Sequence, residues 1–341
     1  MARIVAAMDK YKGTASAAEL SAALQAAGEA VGWQVDVVPM ADGGEGLAEV
    51  FGGQEQRCLV TGPLNTPVEA RWHLVDSPAG PLAVIESAAA SGLVLAGGAA
   101  RNDPEAATTK GTGELIAAAL DAGCRRVLVG CGGSATTDGG KGAVDALVGR
   151  DLSDIDLLVA ADVTTPFLDA AAVFGPQKGA NPAAVVRLTG RLVELAATYR
   201  DRFDIDVTTL AGAGAAGGLA GGLACLGGRI ASGFDLVAEL VGLDEHLRGA
   251  DLVITGEGCL DRTSLVGKVV GGVVARVPKE VPVLVIVGVV DDSARIEFSR
   301  PVRVVSLVER FGTQAALGQP AKLVGAVLAE LLAAEGELQP R

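Results

Sequence analysis

Histidine and aromatic side chains are scarce in this 341-residue chain, which has two histidines and an aromatic content of 3%. A histidine-based zinc centre or a Ser-His-Asp triad would have to be built on His73 or His246. His73 stands in the alternating run Arg71-Trp72-His73-Leu74, which reads as strand, and His246 in a helix-like stretch. Neither is placed as a catalytic group. The five cysteines form no C-x-x-C pair and sit mostly among Ala, Gly, Leu and Val. That pattern predicts buried free thiols in a reducing compartment. No stretch offers the ~20 uninterrupted apolar residues of a membrane span. The apolar run over residues 1–8 is too short for the core of a signal peptide. Basic charge is outnumbered, 28 Lys and Arg against 41 Asp and Glu, a net charge of −13. Such a surface repels phosphodiester backbones and anionic lipid, so neither nucleic acid nor membrane is expected as a partner. A soluble, cytoplasmic protein that binds small molecules is the expectation. A local nest of backbone N–H groups can still hold an anion against that net charge.

Several nucleotide signatures are also missing. Lys141 and Lys268 both follow glycine, but Ala135 and Arg262 stand where a G-x-x-x-x-G-K-[ST] loop needs its first glycine. Gly142 and Val269 stand where it needs Ser or Thr, so the chain is not a Walker-type ATPase. The protein-kinase signature set and the G-x-S-x-G elbow are absent too. One G-x-G-x-x-G match exists, Gly212-Ala213-Gly214-Ala215-Ala216-Gly217, after a possible strand at 204–210 and with Asp235 downstream. It keeps a nicotinamide-dependent oxidoreductase open as an alternative. The further glycines 218, 221, 222, 227 and 228 argue against an ordinary helix there and for a close-approach or phosphate-facing segment.

What is present reads as α/β. A buried strand at 3–8 leads to a helix at 16–30, with Ser16 as N-cap and Glu19 three residues on. A strand at 34–39, a glycine-rich loop and a helix start at 47–51 follow, the grammar of a parallel sheet. Short strands at 57–60, 68–75 and 82–86, punctuated by Pro and Gly, then read as an antiparallel meander. Strands at 126–129 and 157–161 come next, with a helix at 112–122 before them. Near Phe234 the parallel grammar returns: a helix at 234–247, a strand at 251–255, a helix at 268–276, strands at 281–287 and 302–306, and a closing helix at 321–334. Two domains are therefore expected, residues 57–230 inserted into a domain made of 1–56 and 231–341.

Four glycine-rich loops carry fixed charge after strands. They are Met8-Asp9-Lys10-Tyr11-Lys12-Gly13-Thr14, Ala41-Asp42-Gly43-Gly44-Glu45-Gly46, Gly132-Gly133-Ser134-Ala135-Thr136-Thr137-Asp138-Gly139-Gly140-Lys141 and Thr255-Gly256-Glu257-Gly258-Cys259-Leu260-Asp261. Ligands of open parallel sheets bind beyond the carboxyl ends of strands, where such loops lie. Glycine lets backbone N–H groups approach anionic oxygens. Carboxylates can hold Mg²⁺ or take a hydroxyl proton.

Taken in order, these loops resemble the type I glycerate kinase family. Further matching stretches are Thr61-Gly62-Pro63-Leu64, Ile85-Glu86-Ser87-Ala88-Ala89-Ala90-Ser91-Gly92-Leu93, Gly111-Thr112-Gly113-Glu114-Leu115-Ile116, Asp162-Val163-Thr164, Phe174-Gly175-Pro176-Gln177-Lys178-Gly179-Ala180 and the Gly212–218 segment, with Gly267 and Lys268 beyond Asp261. The resemblance implies a flavodoxin-like parallel-sheet domain of strand order 2-1-3-4-5 with a second α/β domain inserted. It implies ATP and Mg²⁺ as cofactors and transfer of the γ-phosphoryl to D-glycerate, giving 2-phosphoglycerate in preference to 3-phosphoglycerate. On that basis Asp9, Lys12, Asp42, Glu45, Glu257, Asp261 and Lys268 are the candidate catalytic set, with Asp42 and Glu257 the candidate metal ligands. Gly133, Ser134, Thr136, Asp138, Gly139, Lys178, Gly212, Gly214 and Gly217 are the candidate nucleotide-binding set. The chain departs from the family pattern at Met8, Lys10, Leu47 and Cys259, where Pro, Ser, Thr and Arg are usual. A non-catalytic sugar-acid sensor of the same fold is the rival that the departures at Lys10, Leu47 and Cys259 motivate.

Overall fold

The computed structural model describes residues 2–44, 46–77, 79–265, 267–291 and 297–336. The chain divides into two compact units, Met1–Asp42 with Phe234–Arg341, and Gly43–Gly233.

The first unit holds a five-stranded, all-parallel sheet. Along it lie Arg303–Ser306, Val283–Val287, Leu252–Gly256, Arg3–Met8 and Gln34–Val37. Numbered along the chain this is the order 2-1-3-4-5 that the sequence implies. Alternation within the strands divides the buried residues between two faces. Ile4, Ala6, Met8, Ile254, Leu284 and Ile286 join the helices Ala17–Glu29 and Pro320–Gly336 in one apolar cluster. Val5, Ala7, Val253 and Val285 are buried from the opposite pleat, where the helix Val269–Arg276 packs with its Val269, Val270, Val273 and Val274. The Ala17–Glu29 helix begins as its sequence demands. Ser16 Oγ accepts from the Glu19 N–H while the Glu19 carboxylate accepts from the Ser16 N–H.

The second unit is built on a six-stranded sheet ordered Gln54–Thr61, Pro67–Val75, Leu82–Glu86, Arg126–Gly130, Asp156–Ala160 and Arg229–Ala231. The first three strands are antiparallel, the expected meander, and the remaining pairings are parallel.

Three sequence expectations are corrected. Residues 43–56 belong with the second unit, because the first meander strand begins at Gln54, paired with Leu74, and the Ala48 N–H donates to Glu86. The helix expected over 234–247 is broken at Gly242, whose φ of +68° ends Gly233–Val241 before Leu243–Leu247 begins. The strand expected over 204–210 does not form. Asp204 is left-handed and closes the long helix Pro182–Phe203, and Val207–Thr209 is a single 3₁₀ turn.

Without that strand, the Gly212–217 motif lacks the strand–turn–helix setting a dinucleotide fingerprint requires. Ala216, Gly217 and Gly218 are all left-handed and interrupt the helix Ala215–Ala224 in its first turn, so no regular helix starts on the motif. A Cβ on Gly217 would lie 1.9 Å from the Thr136 carbonyl oxygen, at a φ of +69°. Backbone packing, not a ligand, demands glycine here. Gly217→Ala is expected to cost about 3 kcal/mol or more, seen as a drop in the thermal unfolding midpoint of several degrees.

Candidate functional site

The carboxyl ends of the first unit's strands deliver one cluster of charge. Arg3–Met8 runs beside Leu252–Gly256 with Met8 opposite Gly256, so the loops carrying Asp9 and Glu257 leave neighbouring strands. On the other side the chain after Gln34–Val37 continues along the first strand. The Val38 and Met40 N–H groups donate to Ala6 and Met8, which brings Asp42 to the same edge. The Asp9 loop turns back sharply, with hydrogen bonds from the Tyr11 N–H to Ala15 and from the Thr14 N–H to Tyr11. Tyr11 is buried and its hydroxyl donates to the Ile286 carbonyl, which fixes this loop to the sheet. Gly258 lets the two loops touch. A Cβ there would stand 3.3 Å from both the Lys12 nitrogen and the Tyr11 Cα.

A cavity of about 310 Å³ opens between these loops. Asp9, Lys10, Lys12, Asp42, Glu257 and Cys259 are among its lining residues. Two of its acids hold their protons well above the ordinary range. Burial pushes Asp9 up to about 6, with the Asp42 charge adding to the rise and Lys10 and Lys268 opposing it. Burial likewise pushes Glu257 up to about 7, opposed by Ser264 and Lys268 and assisted by the charges of Asp9 and Asp261. Glu257 is 7% exposed, and its Oε1 has no hydrogen-bond partner among the described residues. Lys268 stands at the N-cap of Val269–Arg276, close enough to act on both acids.

Asp261, by contrast, is engaged locally. Its Oδ1 accepts from the Thr263 N–H at 2.7 Å, the Thr263 hydroxyl at 2.6 Å and the Ser264 N–H at 3.2 Å, and these bonds hold its carboxyl below the usual range. It shapes the turn after Leu260 and reaches the cavity only through its charge. Glu45 lies outside the described residues.

The second unit gathers the other candidate residues. Lys178, a member of the expected nucleotide-binding set, is 3% exposed. Its ammonium donates to Ser134 Oγ at 2.9 Å and to the Thr136 carbonyl at 2.7 Å. Burial lowers it to about 8, against the pull of Asp138. Asn102, unmarked by any motif, staples the same two loops by donating from Nδ2 to the Ala135 and Lys178 carbonyls. Gly133 is left-handed and exposed, at the open end of this loop.

Asp138 has a building role. Its carboxylate accepts from the N–H groups of Thr109, Gly140 and Gly142 and from the Thr109 hydroxyl. Thr136 is fully buried and turns its hydroxyl to the Ala216 carbonyl. Gly139 exchanges backbone contact with Gly217 and accepts from the Tyr199 hydroxyl. Cβ atoms on Gly212 and Gly214 would meet the Val163 and Pro166 carbonyl oxygens at 2.9 and 2.4 Å. Of the expected nucleotide-binding set, Gly133, Ser134 and Lys178 thus stay together with polar groups at hand. Thr136, Asp138, Gly139, Gly212, Gly214 and Gly217 form the packed wall behind them.

Comparison with known proteins gives the chain's family. The model of the glycerate kinase family matches residues 4–154 and 148–334. A glycerate 2-kinase of Escherichia coli K12 is 38% identical over alignments covering 91% of this chain and 92% of that protein. A glycerate kinase of Bacillus subtilis 168 is 39% identical, covering 84% and 85%. A solved structure described as a candidate glycerate kinase 2 from Salmonella typhimurium LT2 superposes with a TM-score of 0.84 at 34% identity, over 98% of this chain and 99% of that one. The chain belongs to the glycerate kinase family.

Proposed function

We propose that the chain transfers the γ-phosphoryl of ATP to D-glycerate and releases 2-phosphoglycerate. The observation that carries this reading is the first-unit cavity, where three carboxyl groups and two lysines converge at the carboxyl edge of a parallel sheet. Phosphoryl transfer requires positioning and charge neutralisation rather than a covalent intermediate. A cluster of both signs meets that requirement.

Asp9 is the proposed acceptor of the substrate's hydroxyl proton. A carboxylate raised to about 6 is ionised at neutral pH yet more basic than a solvated one. Lys12 and Lys268 would balance the phosphoryl charge. Taken by itself, the second unit offers phosphate-type donors in the Gly133 backbone N–H, the Ser134 hydroxyl and the Lys178 ammonium.

Among the described residues, no set of three or more His, Cys, Asp and Glu side chains is arranged to hold a metal ion. Mg²⁺ does not need such a cage, since it binds through one or two carboxylates together with substrate phosphates and water. The buried Oε1 of Glu257, without a hydrogen-bond partner among the described residues, and the carboxylate of Asp42 fit that donor set. When bound, the ion supplies charge neutralisation on the phosphate oxygens.

A coupled assay of ADP release with D-glycerate, followed by ³¹P NMR of the product, tests the reading. ATP- and glycerate-dependent formation of 2-phosphoglycerate is expected. Binding of glycerate without turnover would favour the sensor instead, and a 3-phosphoglycerate signal would overturn the assigned hydroxyl.

A further inference from the structure

Among the described residues, Lys10 is a lysine without a good acceptor. Its side chain is 21% exposed, and the ion pair it makes, with Asp9 Oδ1, is 3.8 Å long. That separation is beyond hydrogen-bond reach, and Asp9 Oδ1 already accepts from the Lys10 N–H at 2.7 Å. An ammonium carries three donors and loses much of its hydration when mostly buried. Asp9 therefore holds this charge over the cavity without satisfying it. The cavity's other lysine, Lys12, is exposed at the rim. Cys259 and the uncharged residues Gly288, Val289 and Thr14 line the cavity as well. The chamber thus holds three acids, Asp9, Asp42 and Glu257, and one mostly buried cation that needs an oxyanion.

We propose that Lys10 binds the carboxylate of the hydroxy-acid substrate and sets the preference for an acid over a neutral polyol. The inference rests on the glycerate kinase reading. A 2-hydroxy acid carries its carboxylate on the carbon that bears the hydroxyl. Seating the carboxylate on Lys10 sets that hydroxyl beside the neighbouring residue, Asp9. The same cation answers the repulsion that three cavity acids impose on an anionic substrate. A neutral analogue would leave the ammonium unsatisfied in its complex and be rejected on that ground.

The test compares wild type, Lys10→Met and Lys10→Arg. In steady state, Lys10→Met is expected to raise KM for D-glycerate about 10- to 100-fold, the scale of a lost charge-assisted hydrogen bond. KM for ATP should stay within about twofold, the effect falling on the acid alone. The preference for glycerate over glyceramide should collapse, and Lys10→Arg should restore part of it. Calorimetric binding of glycerate separates this inference from the question of turnover. Wild type must bind the acid, and Lys10→Met must bind it at least about tenfold more weakly. Equal binding by the two proteins, no binding by wild type, or a rise confined to KM for ATP each overturns the assignment. If glycerate binding depends on Lys10 but no phosphoglycerate forms, the kinase reading fails while the carboxylate site stands.

Discussion

Asp42→Asn is expected to lower kcat at least ~10²-fold, the usual scale for a group acting on a proton or a bound metal, with the fold unchanged. The residue reaches the cavity by a path the sequence dictates. The strand Gln34–Val37 pairs with Arg3–Met8, and the chain keeps bonding alongside it through Val38 and Met40. Asp42 thus arrives at the strand ends beside Asp9, and its charge reaches Asp9 strongly enough to raise that acid's pKa. Asn keeps the volume and removes the charge. The loss of a negative neighbour should also lower the Asp9 pKa, so the acid limb of the pH–rate profile should move to lower pH as turnover falls. Steady-state kinetics over pH 5–8, with circular dichroism as the control for folding, check both effects. Near-normal turnover in a folded variant would remove Asp42 from the mechanism.

The path that brings Asp42 to Asp9 was readable because parallel-sheet grammar is local. A buried apolar run, a glycine-rich loop and a capped helix repeat with little ambiguity. The family's strand order then makes neighbours of the Asp9 and Glu257 loops, as the Met8–Gly256 pairing has it. Burial was far less readable. A lysine beside glycine and proline can be a solvated loop cation or a site residue, and Lys178 is among the buried charges because Ser134, Thr136 and Asn102 converge on its loop from distant parts of the chain. Asp138 and Asp261 look identical to site acids in a one-dimensional reading, since Asp in a glycine-rich turn either caps backbone or binds ligand. Their hydrogen bonds decide the matter, and those depend on Thr109, Gly142, Thr263 and Ser264 being folded around them. Gly217 was ambiguous for a related reason. A glycine that admits a phosphate and one that admits another backbone leave the same mark in sequence, and here the occupant is the Thr136 carbonyl.

Glu257→Gln should separate activity from stability, in opposite directions. Turnover is expected to fall at least ~10²-fold, while the folded state gains stability at alkaline pH. Burial raises the Glu257 carboxyl from 4.5 to about 7 in the folded protein. The native state therefore holds this proton more tightly than the unfolded chain does. The stability that follows is complete below about pH 4.5 and is lost as pH rises through about 7. At pH 8 the wild type carries a buried carboxylate whose Oε1 has no partner among the described residues. The amide never ionises and escapes that penalty, which is on the order of 2–3 kcal/mol. Thermal melts without added divalent cation should show the variant several degrees more stable at pH 8 and level with wild type near pH 4.5. Asp9 adds its own pH dependence to both proteins between 3.8 and about 6, so the difference between the two melting curves is the quantity to follow. The Asp9 charge contributes to the rise of Glu257, so the two acids titrate as a coupled pair. A difference in melting midpoint that stays constant from pH 4.5 to 8 would show that Glu257 is not held protonated by its surroundings. Burial would then not be the source of this site's chemistry.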